Sequence, residues 1–166
     1  AHARLGPSNH RWPHCPGSIR EEAAYPDVSG EAAIDGTGSH LLLEMCLMNG
    51  VRAHNYIDQI IGANDPDKPN GWNVKQDRID RVNMCLDYVA RRFAELSQQY
   101  PGATVWVSTE SHSDPGGMFG RDDWNGTVDI TITVEQDGKC LFLEVVDYKD
   151  GRGYVNEKNN SQLLAY

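Results

Sequence analysis

A chain of 166 residues, 39% hydrophobic and 23% charged, is long enough for one domain with a real core, and its balance excludes a disordered or fibrous class. The net charge of −9 counts against a general basic nucleic-acid surface, while leaving room for one basic groove and for carboxylates committed to a metal. No apolar run approaches the roughly 20 residues of a membrane span, and no signal-peptide hydrophobic region opens the chain, so a cytoplasmic setting without membrane is expected.

Residues 1–30 read as an irregular arm, broken by Pro7, Pro13, Pro16 and Pro26, with Trp12 and Cys15 expected to anchor it to the core. His10, His14 and Cys15 lack the second ligand pair that a zinc site needs. Cys15, Cys46, Cys85 and Cys140 are widely spaced without a Cys-x-x-Cys pair, so reduced and mostly buried thiols are expected in place of a disulfide scaffold. A helix is predicted over Glu31–Asn49 and closed by Gly50, with Leu41, Leu42, Met45 and Met48 as its buried side. His40 and Glu44, four residues apart, share another stripe, and Gly36 is expected to admit a close neighbour. Spacing alone reads that pair as a helical hydrogen bond on a solvated face. Residues 50–76 carry little pattern, and turn chemistry makes 64–71 a loop.

The periodicity predicts a second helix over Asp77–Gln98, where Ile79, Val82, Leu86, Val89, Phe93 and Leu96 form one apolar face. Arg81, Arg91, Arg92 and Glu95 decorate the remainder. Thr104–Ser111 reads as a strand with Glu110 near its end, either a solvated edge charge or a supporting metal ligand. Ser111–Asp123 is a loop rich in glycine and aspartate, whose His112 and Asp114 are suited to touching substrate.

Gly126–Lys149 then reads as a hairpin. Val128, Ile130, Ile132 and Val134 alternate with Thr127, Asp129, Thr131 and Thr133, the period of a half-buried strand. Cys140–Tyr148 is apolar on both faces apart from Glu144, as expected of a central strand covered on both sides. Asp137-Gly138 is a hairpin turn signal. A pairing centred on Gly138 sets Asp129 opposite Asp147, but a plain two-residue turn would send them to opposite faces, so a bulge or an odd-residue loop is required. Two adjacent carboxylates repel and one pKa rises, unless a divalent ion lies between them. Oxygen donors favour Mg2+ or Mn2+. Lys149 follows two residues after Asp147.

After Lys149, Asp150-Gly-Arg-Gly reads as a flexible turn, and Asn156 as the cap of a helix running to Tyr166 with Gln162 and Tyr166 on one face. The pattern stops in mid-helix, so the sequence is expected to be a piece of a longer chain. Arg121, Lys149, Arg152 and Lys158 are the candidates for a basic groove.

The order of helix, helix, three strands and helix, with Gly-x-x-Asp on the second of those strands and Asp-x-Lys closing the third, resembles the PD-(D/E)XK nuclease superfamily. Gly36-Thr37-Gly38-Ser39-His40, Val145-Val-Asp-Tyr-Lys-Asp-Gly151 and Gln162-x-x-x-Tyr166 narrow the resemblance to the RecB-like and lambda-exonuclease-like branch, and Arg11-Trp-Pro-His-Cys-Pro-Gly-Ser18 is similar to phage and prophage members. It implies an α/β (α+β) fold with a restriction-endonuclease-like core, a small mixed central sheet flanked by helices, as a single domain over 1–166. It further implies that His40, Asp129, Asp147 and the Tyr148 backbone carbonyl bind Mg2+ or Mn2+, and that Lys149 activates the attacking water. Glu44 and Glu110 would support the site, with Gln162, Tyr166, Arg152 and Lys158 placing substrate. The strand order departs from the family in lacking a last strand, and the motif's proline is Val128 here. Some relatives bind an iron–sulfur cluster through one early and three late cysteines; Cys15 has no late trio to join, so no cluster is expected.

The implied activity is metal-dependent DNA hydrolysis, most simply by an exonuclease of phage replication or recombination in the host cytoplasm. DNA is then the partner, with a phage recombination protein and a homo-oligomer left open. Two alternatives stand beside it. One is a non-catalytic DNA-binding or assembly module of the same fold; the other is a metal-dependent hydrolase of small phosphate esters, which the negative charge favours.

Overall fold

The computed structural model describes residues 5, 6, 11, 12, 14–25, 29–150, 160, 162 and 163. Among the described residues three α-helices are formed, α1 at Ser18–Glu22, α2 at Glu31–Asn49 and α3 at Gln76–Gln99, and five strands, β1 at Ile60–Asp65, β2 at Lys68–Asn73, β3 at Thr104–Ser113, β4 at Gly126–Gln136 and β5 at Lys139–Val146. The architecture mixes α and β, with small sheets flanked by helices. The described strands pair antiparallel throughout, where a mixed sheet is the sequence expectation.

Helix α2 has the expected bounds, and Gly50 closes it in the left-handed region at φ 63°, where glycine carries no Cβ penalty. Of its expected buried side, Leu42 is fully buried, Leu41 and Met45 are half-buried against the core, and Met48 is exposed. Gly38, Ser39, Leu43 and Cys46 face inward as well. The stripe is rotated because β1 and β2 form a hairpin that lays Trp72 against Gly38. A Cβ at Gly38 would strike the Trp72 ring and Arg78, while Gly36 has open space around it, so Gly38 is the residue that admits a neighbour. Trp72 Nε1 then donates to the Ile34 carbonyl at 2.9 Å.

That hairpin corrects the reading of residues 50–76 as patternless. Its strands are short and do not alternate, and Gly62, Asn64 and Gly71 adopt positive φ, so propensity gives no strand signal. Asp65 makes the turn, its Oδ1 accepting from the Asp67 and Lys68 amides at 2.9 and 3.2 Å.

Helix α3 supplies Ile79, Val82, Leu86, Val89 and Leu96 to the core, with Phe93 left exposed. These residues meet Leu42, Leu43 and Cys46 of α2 and the buried face of β4, Ile130, Ile132 and Val134. Arg78 is buried as well and crosses to α2, reaching the Asp35 carbonyl at 2.9 Å, the Ser39 hydroxyl at 2.9 Å and the Asp35 carboxylate. Hydrogen bonding on every side is what allows a guanidinium to sit there.

Strand β4 is central, between β3 and β5. The Asp137-Gly138 turn has both residues at positive φ, 51° and 72°, as a two-residue hairpin requires. Pairing begins as Gln136↔Lys139 and Glu135↔Cys140, then resumes as Val134↔Phe142, leaving Leu141 as an extra residue. This bulge shifts the register by one, so that Ile130 meets Val146, where the pairing ends one residue short of Asp129 and Asp147. Strand β5 is the sheet edge among the described residues, with Leu141 44% and Leu143 59% exposed. Its run of apolar residues therefore does not mark a strand covered on both sides.

The arm is not wholly irregular, since α1 forms within it. Trp12 anchors it to the β3–β4 connection by packing edge-on against Trp124 at 5.8 Å between centroids, and the Leu5 amide donates to the Asp123 carbonyl at 2.8 Å. Cys15 is exposed, and Cys140 is exposed too; only Cys46 is fully buried, so the thiols are not mostly buried. Burial pushes the Cys46 and Cys85 thiols up to about 11.

Candidate metal centre

Three elements converge at one end of the sheet. His40 arrives from the middle of α2, Glu110 from β3 and Asp129 from the start of β4. Ligand atoms of these three side chains lie within 4.8 Å of one another. The pairs Thr109↔Ile130 and Ser111↔Val128 bracket Glu110 and Asp129, so the ladder itself sets these carboxylates opposite each other. Glu110 holds φ at 49°, a left-handed conformation that costs a residue with a Cβ and redirects its side chain.

Asp129 divides its oxygens. Oδ2 accepts from the Tyr148 amide at 2.7 Å, and Oδ1 lies 3.5 Å from His40 Nδ1. Asp147 stands outside the group of three: its Oδ2 meets Lys149 Nζ at 2.7 Å and its Oδ1 accepts from Gln162 Nε2 at 2.8 Å. Lys149 is 41% exposed at its side chain and carries a cation to the rim of the site. The Tyr148 ring packs edge-on against His40, with centroids 5.2 Å apart.

The electrostatics follow from this crowding. Burial raises the Glu110 pKa, and the charges of Asp129 and Glu44 raise it further. Burial also raises that of Asp147, outweighing Lys149, with Asp129 adding in the same direction. For His40 burial opposes the cation, but the hydrogen bond and charge of Asp129 prevail and its pKa rises. Glu44 acts on the site through its charge on Glu110. Glu110, raised by burial and by the Asp129 charge, stands with Asp129 beside an imidazole as a donor set that a divalent cation would relax, and its oxygen-rich make-up suits Mg2+ or Mn2+.

A family model described as "Protein of unknown function (DUF2800)" matches residues 2–166. The chain belongs to the DUF2800 family. No solved structure matches it.

Other sequence candidates take different places. Asp114 accepts from the Gly117 amide at 2.9 Å and caps the 3-10 turn Pro115–Phe119, while His112 is exposed on β3. Arg121 pairs with Asp123 at 2.7 Å. Arg92 reaches across to Glu144 at 2.7 Å, and Arg91 lies 3.9 Å from Glu95. His10, Arg152, Asn156, Lys158 and Tyr166 lie outside the described residues. Among the described residues no helix is long and apolar enough to cross a membrane.

Sequence reasoning did not single out Arg78, the Arg81–Asp150 pair or the Tyr148 side chain. One signal was available: Arg78 falls on the Val82–Leu86–Val89 stripe of α3 and so points where a cation needs partners. A pocket of about 440 Å³ adjoins Lys149 and is lined by Arg81, Tyr88, Asp147, Tyr148 and Asp150 among others. Another, of about 460 Å³, lies between Cys46, Leu86, Phe93 and Val107 and contains none of the candidate ligands.

Proposed function

We propose that this chain is a divalent-metal-dependent DNA nuclease, an exonuclease of phage DNA replication or recombination with a restriction-endonuclease-like core. The observation that carries the reading is the convergence of His40, Glu110 and Asp129 beside an Asp147–Lys149 pair. The carboxylate and imidazole donors and the lysine lie at one sheet end, in the motif order of the RecB-like branch that the sequence resembles.

His40, Glu110 and Asp129 would hold Mg2+ or Mn2+, with Asp147 and the Tyr148 carbonyl as the further donors that the resemblance implies. When bound, the ion lowers the pKa of a coordinated water and polarises a phosphoryl oxygen. The protein's own contribution is orientation and charge. The Tyr148 amide fixes one Asp129 oxygen, so the other is aimed at His40. Gln162 and Lys149 hold Asp147 from two sides, and the Lys149 ammonium is placed to stabilise the charge that develops on phosphate.

The test is cleavage of linear DNA in Mg2+ or Mn2+. Asp129→Ala and Lys149→Ala are each expected to lower the rate by roughly 100-fold or more, the scale of losing a transition-state charge partner. Wild-type rates in both variants, or metal-independent cleavage, would overturn the reading. DNA binding without metal affinity would instead support the non-catalytic module.

The net charge of −9 favours a second reading, a hydrolase of small phosphate esters. Several described cations are already engaged with carboxylates, among them Arg52, Lys75, Arg78 and Arg92. Hydrolysis of a chromogenic phosphodiester that excess DNA does not inhibit would decide for it.

A further inference from the structure

Asp150 directly follows Lys149, and its side chain is only 1% exposed. Removing a carboxylate from water is costly even after relaxation, so its partners matter. Its main partner is Arg81 of α3, whose Nε meets Oδ1 and whose Nη2 lies 3.4 Å from Oδ2. Arg81 is itself held by Asp77, one turn earlier on α3, at 3.0 Å, and lies 3.8 Å from Asp35 of α2.

The pair has a second attachment. The Tyr148 hydroxyl donates to Asp150 Oδ1 at 3.4 Å. The rest of Tyr148 touches two members of the candidate metal group: its amide donates to Asp129 Oδ2 at 2.7 Å, and its ring packs on His40. One residue thus links the ion pair to both side chains.

We infer that Arg81 and Asp150 are positioning residues, which lock Tyr148 in place and through it set the His40 and Asp129 side chains for a divalent cation. This rests on the reading of His40, Glu110 and Asp129 as the ligand group. Partners behind metal ligands typically govern affinity by 10- to 100-fold.

Asp150→Asn is the informative variant, since it keeps the side chain's size and has no contact with His40 or Asp129 of its own. Tyr148→Phe removes only the hydroxyl. The His40 ring protons are followed by NMR without divalent ion, and Mn2+ binding by titration calorimetry, with thermal melting to establish that each variant is folded. Asp150→Asn is expected to shift the His40 resonances, because the Tyr148 ring current depends on ring orientation, and to weaken Mn2+ binding about 10-fold. Tyr148→Phe is expected to lose a similar factor, and the double variant no more than either single, since both act through the placement of Tyr148. Arg52→Ala, which breaks the exposed pair with Asp87, should change neither readout.

Unchanged His40 resonances and unchanged Mn2+ affinity in folded Asp150→Asn and Tyr148→Phe would overturn the inference while leaving wild-type cleavage intact. If instead the wild type bound no Mn2+ while Asp150→Asn still moved the His40 resonances, the positioning role would be supported and the metal reading lost.

Discussion

Glu110 shows at the level of a single residue how the site departs from ordinary strand chemistry. Its φ of 49° is adopted in the middle of β3, opposite Asp129. Holding a residue with a Cβ there costs about 1–3 kcal/mol, and such strain is usually maintained where a side chain must be aimed. Glycine normally destabilises an element relative to alanine by roughly 0.5–1 kcal/mol, but at positive φ the order should invert. Urea unfolding is therefore expected to find Glu110→Gly more stable than Glu110→Ala by about 1 kcal/mol, with Mn2+ affinity lowered in both. Alanine matching or exceeding glycine would show that the strand does not hold this conformation in solution. The sequence offers Glu110 as either a solvated edge charge or a supporting ligand and shows nothing of its conformation, because a backbone angle imposed by tertiary packing leaves no mark in local composition. Asp129 and Asp147 were legible, since carboxylates on apolar strands need a reason to be there.

Among the elements, the tie between α3 and β5 depends on Glu144. Its carboxylate accepts from Tyr88 at 2.5 Å and from Arg92 Nε and Nη2 at 2.9 and 2.7 Å. Burial pushes the Glu144 pKa up, but the Arg92 and Tyr88 hydrogen bonds and the Arg92 charge bring it below the usual value. A carboxyl whose pKa is lowered by folding contributes stability above its unfolded pKa of about 4.3, and that contribution disappears as pH falls through the folded value. Glu144→Gln is expected to be less stable than wild type at pH 7, with the gap narrowing steadily under acid below about pH 4.3 in urea melts. A gap of constant size from pH 7 to pH 3 would rule out this linkage. The strand pattern marked Glu144 as the exception in an apolar run, yet its partners lie more than 50 residues away and could not be read from it. The long helices were legible because their periodicity spans several turns. The β1–β2 hairpin was not, because its strands are fixed by Trp72 packing and by glycines at positive φ.

For the whole molecule, the decisive geometry is the bulge at Leu141. A single extra residue shifts the β4–β5 register by one where the strand leads to Asp147, and the same sheet end receives His40 from α2 and Glu110 from β3. The need for such a slip could be derived from the hairpin spacing, but the composition of the ligand group could not: Glu110 joins it, while Asp147 is engaged by Lys149 and Gln162. The central claim is that these converging side chains form a divalent-metal site at which phosphodiesters are hydrolysed. Its most direct test is anomalous diffraction from crystals soaked in Mn2+. The account predicts a peak within about 2.5 Å of donor atoms from His40, Glu110 and Asp129. A protein that binds Mn2+ elsewhere, with no peak among these three residues, would contradict it.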